Sequence, residues 1–446
     1  MRKFLSAAAA LLIGGALIVS SGAAATAAPT AAPGTVIATI PVGRYPEAIV
    51  TSPDGATAYT ANYNHGTVTV ISTASHAATG TIAVGDYPSG LAMSPDGSTV
   101  YVANYGSNSI SVISTASGTV TKTFPMTAGP SSIVVSPDGA TLYVIVNNSA
   151  VAEVSAASGA VTRTIPFESY VPGLALSPDG AELYVADAYG DRVAVVSTSV
   201  GSVARSIPLP ADSRPNAVAV SRDGSTLYVV NRSSGSVSVV TASTGAIVKN
   251  IVVGGGPGAI ALSPDGLTVY VTNQNDNTLS VISTASGTVT DTVAVGVQPW
   301  AVTVKPDGTE VYVVNFGAST VTVLAAATAP AFDAATPPSG VVGSAYAYTF
   351  EASGNPEPTF AVASGALPAG LALSSTGELT GTPTAAGTYT FTVSATNSVG
   401  VVTTSTITIT VTAAATTTPS PSASAPTTAT SAPVATPVKA SASFTG

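Results

Sequence analysis

The stretch Pro88–Gly129, PSGLAMSPDGSTVYVANYGSNSISVISTASGTVTKTFPMTAG, recurs with drift seven times, and the rest of the chain closes it, extends it or exports it. Its marker is SPDG at Ser52, Ser94, Ser136, Ser177 and Ser263, SRDG at Ser221 and KPDG at Lys305. Successive markers lie 42, 42, 41, 44, 42 and 42 residues apart. That is the length of a four-stranded propeller blade, about 40–45 residues. Each unit reads as four short runs rich in β-branched residues, separated by turn residues, with no helical period. In the second unit the runs are Gly90–Met93, Thr99–Ala103, Ser109–Ser114 and Val120–Phe124, lettered a to d from the axis outwards.

Along strand a, small residues (Gly90, Ala92; Ala259, Ala261) alternate with large apolar ones (Leu91, Met93; Ile260, Leu262). A period of two puts the sets on opposite faces of a sheet. Neither set is charged, as a blade covered on both sides requires. In SPDG, Pro presets φ, Asp tolerates the bridge region and Gly lets the chain leave a type I turn. The seven turn aspartates are therefore read as structural. The tyrosine after each turn (Tyr59, Tyr101, Tyr143, Tyr184, Tyr228, Tyr270, Tyr312) is read as interblade packing.

The seventh unit, Pro299–Leu324, stops after strand c. Thr35–Val42 (TVIATIPV) matches strand d of the sixth unit, Thr288–Val295 (TVTDTVAV), so the N-terminal strand is expected to close the ring. Val36, Ile37, Ile40 and Val42 are all expected to be buried there. The fold expected is all-β: a seven-bladed β-propeller over residues 35–324, a linker over 325–331, an Ig-like β-sandwich over 332–412 and a disordered Ala/Thr/Ser/Pro-rich tail over 413–446.

The Y-V-x-N tetrapeptide followed by V-x-V-I-[SD]-T, after P-x-x-[IL]-A-x-S-P-D-G, resembles the YVTN β-propeller repeat (YncE-like) family. It stands here as YVAN (Tyr101–Asn104), YVTN (Tyr270–Asn273) and YVVN (Tyr228–Asn231, Tyr312–Asn315). Two units depart: Tyr143–Asn147 carries an extra residue and Tyr184–Asp187 ends in Asp. The resemblance implies a seven-bladed, extracytoplasmic or surface-associated propeller, usually without an assigned activity. Leu367–Leu371 (LPAGL), Gly377–Pro383 and Gly387–Phe391 resemble the cadherin-like, Ig-like modules of bacterial surface proteins, which implies a spacer or adhesion role.

Composition narrows the function. Only 8% of residues are charged and the formal net charge is -9 with 13 Lys+Arg, which argues against nucleic acid. There is no cysteine, hence no disulfide or thiolate metal site. Arg2 and Lys3, the apolar Ala7–Val19 and Ala25-Thr26-Ala27 form an export signal over residues 1–27, and no transmembrane segment is expected after cleavage. A secreted, cell-surface-associated monomer is expected.

Two loop faces result from four antiparallel strands. The a–b and c–d turns share one and hardly vary; the d–a and b–c loops share the other and differ between units. On that variable face stand Arg44, Tyr45, Asp86, Tyr87, Tyr105, Tyr170, Asp187, Tyr189, Arg192, Arg214, Arg232, Trp300 and Phe316 as candidate ligand-binding residues. Exposed aromatics among carboxylates, amides and arginines are typical of recognition surfaces. Glu47, Tyr63, Glu168, Asp191, Asp212 and Asp276 fall on the same face. No cofactor is expected; Ca²⁺ at Asn273–Asn277 or at Asp187 with Asp191 is the alternative to plain solvated loops. No catalytic residue is assigned, because His65 and His76 fall on opposite faces. The expected function is binding of an extracellular or envelope glycan or protein. A propeller hydrolase, lactonase or lyase acting at the same face is the alternative.

Overall fold

The computed structural model describes residues 31–414 apart from 334 and 398; the export signal and the tail beyond 414 lie outside the described residues. Seven four-stranded antiparallel sheets are present. In blade 2 strands a to d run Pro88–Met93, Thr99–Asn104, Ser109–Ser114 and Thr119–Pro125. Blades 1, 3, 4, 5 and 6 repeat this over residues 46–83, 130–166, 173–208, 215–252 and 257–294. Each strand a touches strand a of both neighbours, and the series returns from blade 7 to blade 1, which makes the molecule a closed ring.

Blade 7 contains Pro299–Val304, Glu310–Asn315 and Thr320–Ala325, and its outer strand is Val36–Pro41 from the other end of the chain. Thr39 lies opposite Thr322 and Ile40 opposite Val321. Here the burial expectation is corrected. Ile40 is 1% exposed, but Val36 and Ile37 remain exposed and Val42 is half-buried. A strand d is the rim of its blade, so only the side chain facing the next blade is covered. Ile40 packs with Tyr312 and Val314 of blade 7 against Ala58 and Ile71 of blade 1.

The core is seven separate seams, one between each pair of adjacent blades. Each contains one of the seven repeat tyrosines. In seam 3–4, Tyr143 and Ile145 meet Leu174, Leu183 and Val185. This is why strand b reads apolar on both faces: one face serves each seam. The SPDG serine and aspartate close the turn with side chains as well as backbone. Ser94 Oγ donates to Asp96 Oδ1, Asp96 Oδ1 accepts from the Ser98 N–H at 3.0 Å, and Ser94 Oγ accepts from the Thr99 N–H at 3.0 Å. The serine hydrogen bond holds the carboxyls of Asp54, Asp96, Asp138 and Asp179 below their ordinary range, and that of Asp223 at about 2.

The C-terminal sandwich packs Tyr346, Phe350, Leu379, Phe391, Val393, Ile407, Ile409 and Val411 between Gly387–Thr396 with Ile407–Thr412 and Tyr346–Thr349 with Glu378–Gly381. Val401–Thr403 and Ile407–Thr412 are separate strands, both paired with Gly387–Thr396. The stretch 325–331 is not a slack linker. Ala326 is buried in the seam between blades 6 and 7, and Thr328–Phe332 is a strand paired with Ala352–Asn355. Asn355 donates to the Ala326 carbonyl at 2.8 Å, and Ala326 in turn donates to Thr309 in an a–b turn. The sandwich thus attaches on the invariant-turn face, opposite the variable loops.

Candidate functional site

The second residue of strand a in six blades is Glu47, Ser89, Ser131, Asn216, Gly258 and Trp300, and in blade 4 the equivalent position is Pro172, just before the strand; all seven line one axial cavity of about 580 Å³. Blades approach so closely at the axis that a Cβ on Gly90 would lie 2.0 Å from the Ser131 carbonyl oxygen, and one on Gly173 2.5 Å from that of Asn216. Tyr63, Tyr105, Asn148 and Gln274, from the b–c loops, and Tyr170, from the d–a loop that leads into blade 4, form the mouth.

Polar groups of this ring are tied between and within blades. Asn216 Nδ2 donates to the Gly258 carbonyl at 2.8 Å and Arg232 Nη2 to Gln274 Oε1 at 2.6 Å, both from blade 5 to blade 6, while within blade 3 Ser131 Oγ donates to Asn148 Oδ1 at 3.1 Å. The loops rest on a fixed base. Asn104 of the YVAN motif is fully buried and donates to Ser109 Oγ at 3.1 Å and Ser111 Oγ at 2.9 Å. Asn62, Asn231, Asn273 and Asn315 make the same pair of bonds in their blades.

Aromatic side chains crown the mouth. Trp300 lies 5.2 Å from Phe316, which stacks on Tyr45 at 4.8 Å; Tyr63 stacks on Tyr87 at 4.9 Å, and Tyr170 leans on Tyr189 at 6.0 Å. Tyr45 and Tyr87 have φ of 52° and 51°, immediately before Pro46 and Pro88. Blade 6 places Gly256 at the equivalent position, where a left-handed backbone carries no Cβ penalty. Holding a tyrosine there costs on the order of 1–3 kcal/mol, and strain of this kind concentrates at functional sites.

The remaining candidates separate into two groups. Tyr105, Tyr170 and Trp300 line the cavity; Tyr45, Tyr87 and Phe316 brace it by stacking; Arg232 orients Gln274. Arg44 lies over the ring of Tyr45 at 5.6 Å and Arg214 over Tyr189 at 5.9 Å, both on the exposed rim with Asp86. Asp187 is withdrawn from the face: it is fully buried, accepts from Arg192 Nε at 2.7 Å and from the Gly190 N–H at 3.0 Å. Blade 4 has Arg192 where other blades offer a hydroxyl to the motif asparagine, so an aspartate stands there to meet it. Asp187 is committed to this pair beneath the loop, while the Arg192 side chain remains partly exposed. The loop oxygens considered for Ca²⁺ are also engaged: Asp191 caps Asp212 N and Arg214 N, and Asp276 caps Gly255 N. Among the described residues no group of three potential metal ligands occurs.

Several cavity residues are absent from the candidate set, among them Tyr63, Asn148, Asn216 and Gln274, and Glu47 is the acidic one. Its side chain is half-buried by neighbouring strands, and loss of bulk water pushes its carboxyl up from 4.5 to about 8. The signal was its alignment with Trp300, but burial at the axis exists only once the ring is closed. His65 and His76 lie at opposite ends of blade 1. His65 Nδ1 accepts the Arg44 N–H at 3.2 Å, whereas His76 Nε2 is 2.9 Å from Glu310 Oε1.

Residues 174–332 match the family described as "Lactonase, 7-bladed beta-propeller". Residues 24–169 match the "Choice-of-anchor I domain" family, and residues 326–412 the "Putative Ig domain" family. A lactonase-type seven-bladed propeller region followed by an Ig domain is therefore present. No curated protein matches the chain in sequence. Among solved structures, a chain of Kuenenia stuttgartiensis hydrazine synthase is similar with a TM-score of 0.58 and 23% identity, over 68% of this chain and 98% of that one. The Cps50 (Swd1) β-propeller domain of Myceliophteria thermophila has a TM-score of 0.58 and 11% identity, over 65% and 99%. At these identities the likeness is one of fold alone.

Proposed function

We propose that this is an exported binding protein of the YVTN type whose channel mouth takes up a glycan or a loop of an envelope protein, with the sandwich as a spacer. The observation that carries the reading is the aromatic crown over a cavity lined by amides and hydroxyls. Sugar rings pack their C–H faces on aromatic side chains, while amides and hydroxyls pair with their hydroxyl groups. The sandwich joins the far face, which leaves the mouth open. Binding of a panel of neutral oligosaccharides and envelope fractions, followed by calorimetry, tests this. Trp300→Ala and Tyr105→Ala should each weaken retention at least tenfold; wild-type protein retained by nothing in the panel would sink the proposal.

A second reading is favoured by two observations, the lactonase-family match over 174–332 and a carboxyl at Glu47 that keeps its proton near neutral pH. Such a group is poised for general acid–base work on an ester or lactone. Lactone hydrolysis abolished by Glu47→Gln would establish it, and hydrolysis unaffected by that change would remove it.

A further inference from the structure

Among the residues that line the channel, Glu47 alone is acidic, and none is basic. None of the ion pairs among the described residues includes it. The two arginines nearest the mouth are engaged elsewhere: Arg232 with Gln274, and Arg44 over the Tyr45 ring on the exposed rim. A carboxylate without a cation sits in a cavity whose other walls include the rings of Tyr63, Tyr105, Tyr170 and Trp300. The negative π faces of such rings attract a cation, and they do so more strongly where water is excluded. A divalent metal is a poor occupant, since Ca²⁺ needs about 6–8 oxygen ligands and only one carboxylate is on offer.

We propose that the channel receives an organic ammonium group, with Glu47 as its counter-ion and the faces of Trp300, Tyr63, Tyr105 and Tyr170 as its walls. The inference rests on the reading of this mouth as the ligand site, and it adds the charge of the ligand. The cavity, at about 580 Å³, has the size of a small-molecule pocket. It suits a free amine on a sugar or a small quaternary ammonium compound.

Binding is then linked to a proton. In the empty channel Glu47 holds its proton up to about pH 8, and the ammonium group must displace it. The other groups facing Glu47 stay constant across neutral pH. Burial, and after it the charge of Glu47, pushes the Tyr63 phenol upward. The Tyr170 phenol is also pushed upward by burial, against a smaller opposing effect of Arg232.

Calorimetric titration with tetramethylammonium, which does not titrate, and with the uncharged analogue neopentyl alcohol tests the proposal at pH 6, 7, 8 and 9. Expected is preference for the cation, with affinity rising roughly tenfold per pH unit up to about pH 8 and then levelling. Glu47→Gln, isosteric and neutral, should abolish the pH dependence and lose at least tenfold in affinity at pH 9. Trp300→Ala should lose roughly 3- to 30-fold at every pH. No binding of the cation, equal binding of both probes, or a pH profile unchanged in Glu47→Gln would overturn the inference. The neutral oligosaccharide panel reads the mouth itself, so retention there without cation binding leaves the binding reading standing.

Discussion

Replacing Glu47 by Gln should stabilise the protein in alkaline solution and leave it unchanged in acid. Burial raises the carboxyl from 4.5 to about 8 in the folded ring. Below pH 4.5 both folded and unfolded chains hold the proton, and the group costs nothing. Between pH 4.5 and 8 the unfolded chain releases it while the folded one keeps it, so stability falls as pH rises, and above 8 the loss is complete. A rise from 4.5 to about 8 corresponds to about 5 kcal/mol at 1.36 kcal/mol per pH unit, and solvent screening of the half-buried side chain lowers this to about 2–4 kcal/mol. For a unit of this size 1 kcal/mol moves Tm by roughly 1.5–2 °C. Circular dichroism melts at pH 4, 7 and 9 should therefore show wild type and Glu47→Gln nearly coinciding at pH 4. At pH 9 the variant should melt roughly 3–8 °C higher. Parallel Tm profiles across this range would refute the claim that ring closure desolvates Glu47.

Removal of residues 35–42 strips blade 7 of its outer strand and exposes the seam around Ile40, so the truncated chain should lose its cooperative melt. Ile40→Ala alone should cost about 2–4 kcal/mol, read by urea denaturation. In Asn104→Ala two buried hydrogen bonds disappear and Ser109 and Ser111 are left without that partner, a loss of about 1–3 kcal/mol. Asp187→Asn should destabilise blade 4. Asp187→Asn with Arg192→Ser restores one of the two hydroxyl partners found in the other blades, Ala194 standing where the second would be, and should recover part of the loss. Neither change should alter ligand binding, since Asp187 is buried; altered binding by the double variant would return that pair to the site.

Much of this molecule is local repetition, and repetition is legible. A 42-residue period, a turn with Ser, Pro, Asp and Gly in fixed places, and one tyrosine per unit sufficed to expect seven blades with a tyrosine in every seam. A missing strand d at one end and a spare one at the other were enough to expect closure. Those features depend on neighbours in the chain or on the next unit, where alternation and turn chemistry act. The environment of each rim and axis position was not legible, because it depends on which residues the finished ring places together. Val36 and Ile37 are as apolar as Ile40, yet only Ile40 faces blade 1. Asp187 reads as a loop acid, and only its pairing with Arg192 beneath the loop shows it to be structural. Glu47 and Trp300 are 253 positions apart in the chain and share one cavity because blades 1 and 7 are neighbours in a circle. The order of residues determined that such a circle forms and which side chains it carries to its axis. Desolvation at that axis, which gives Glu47 its altered proton affinity, belongs to the assembled ring, since no single blade excludes the water.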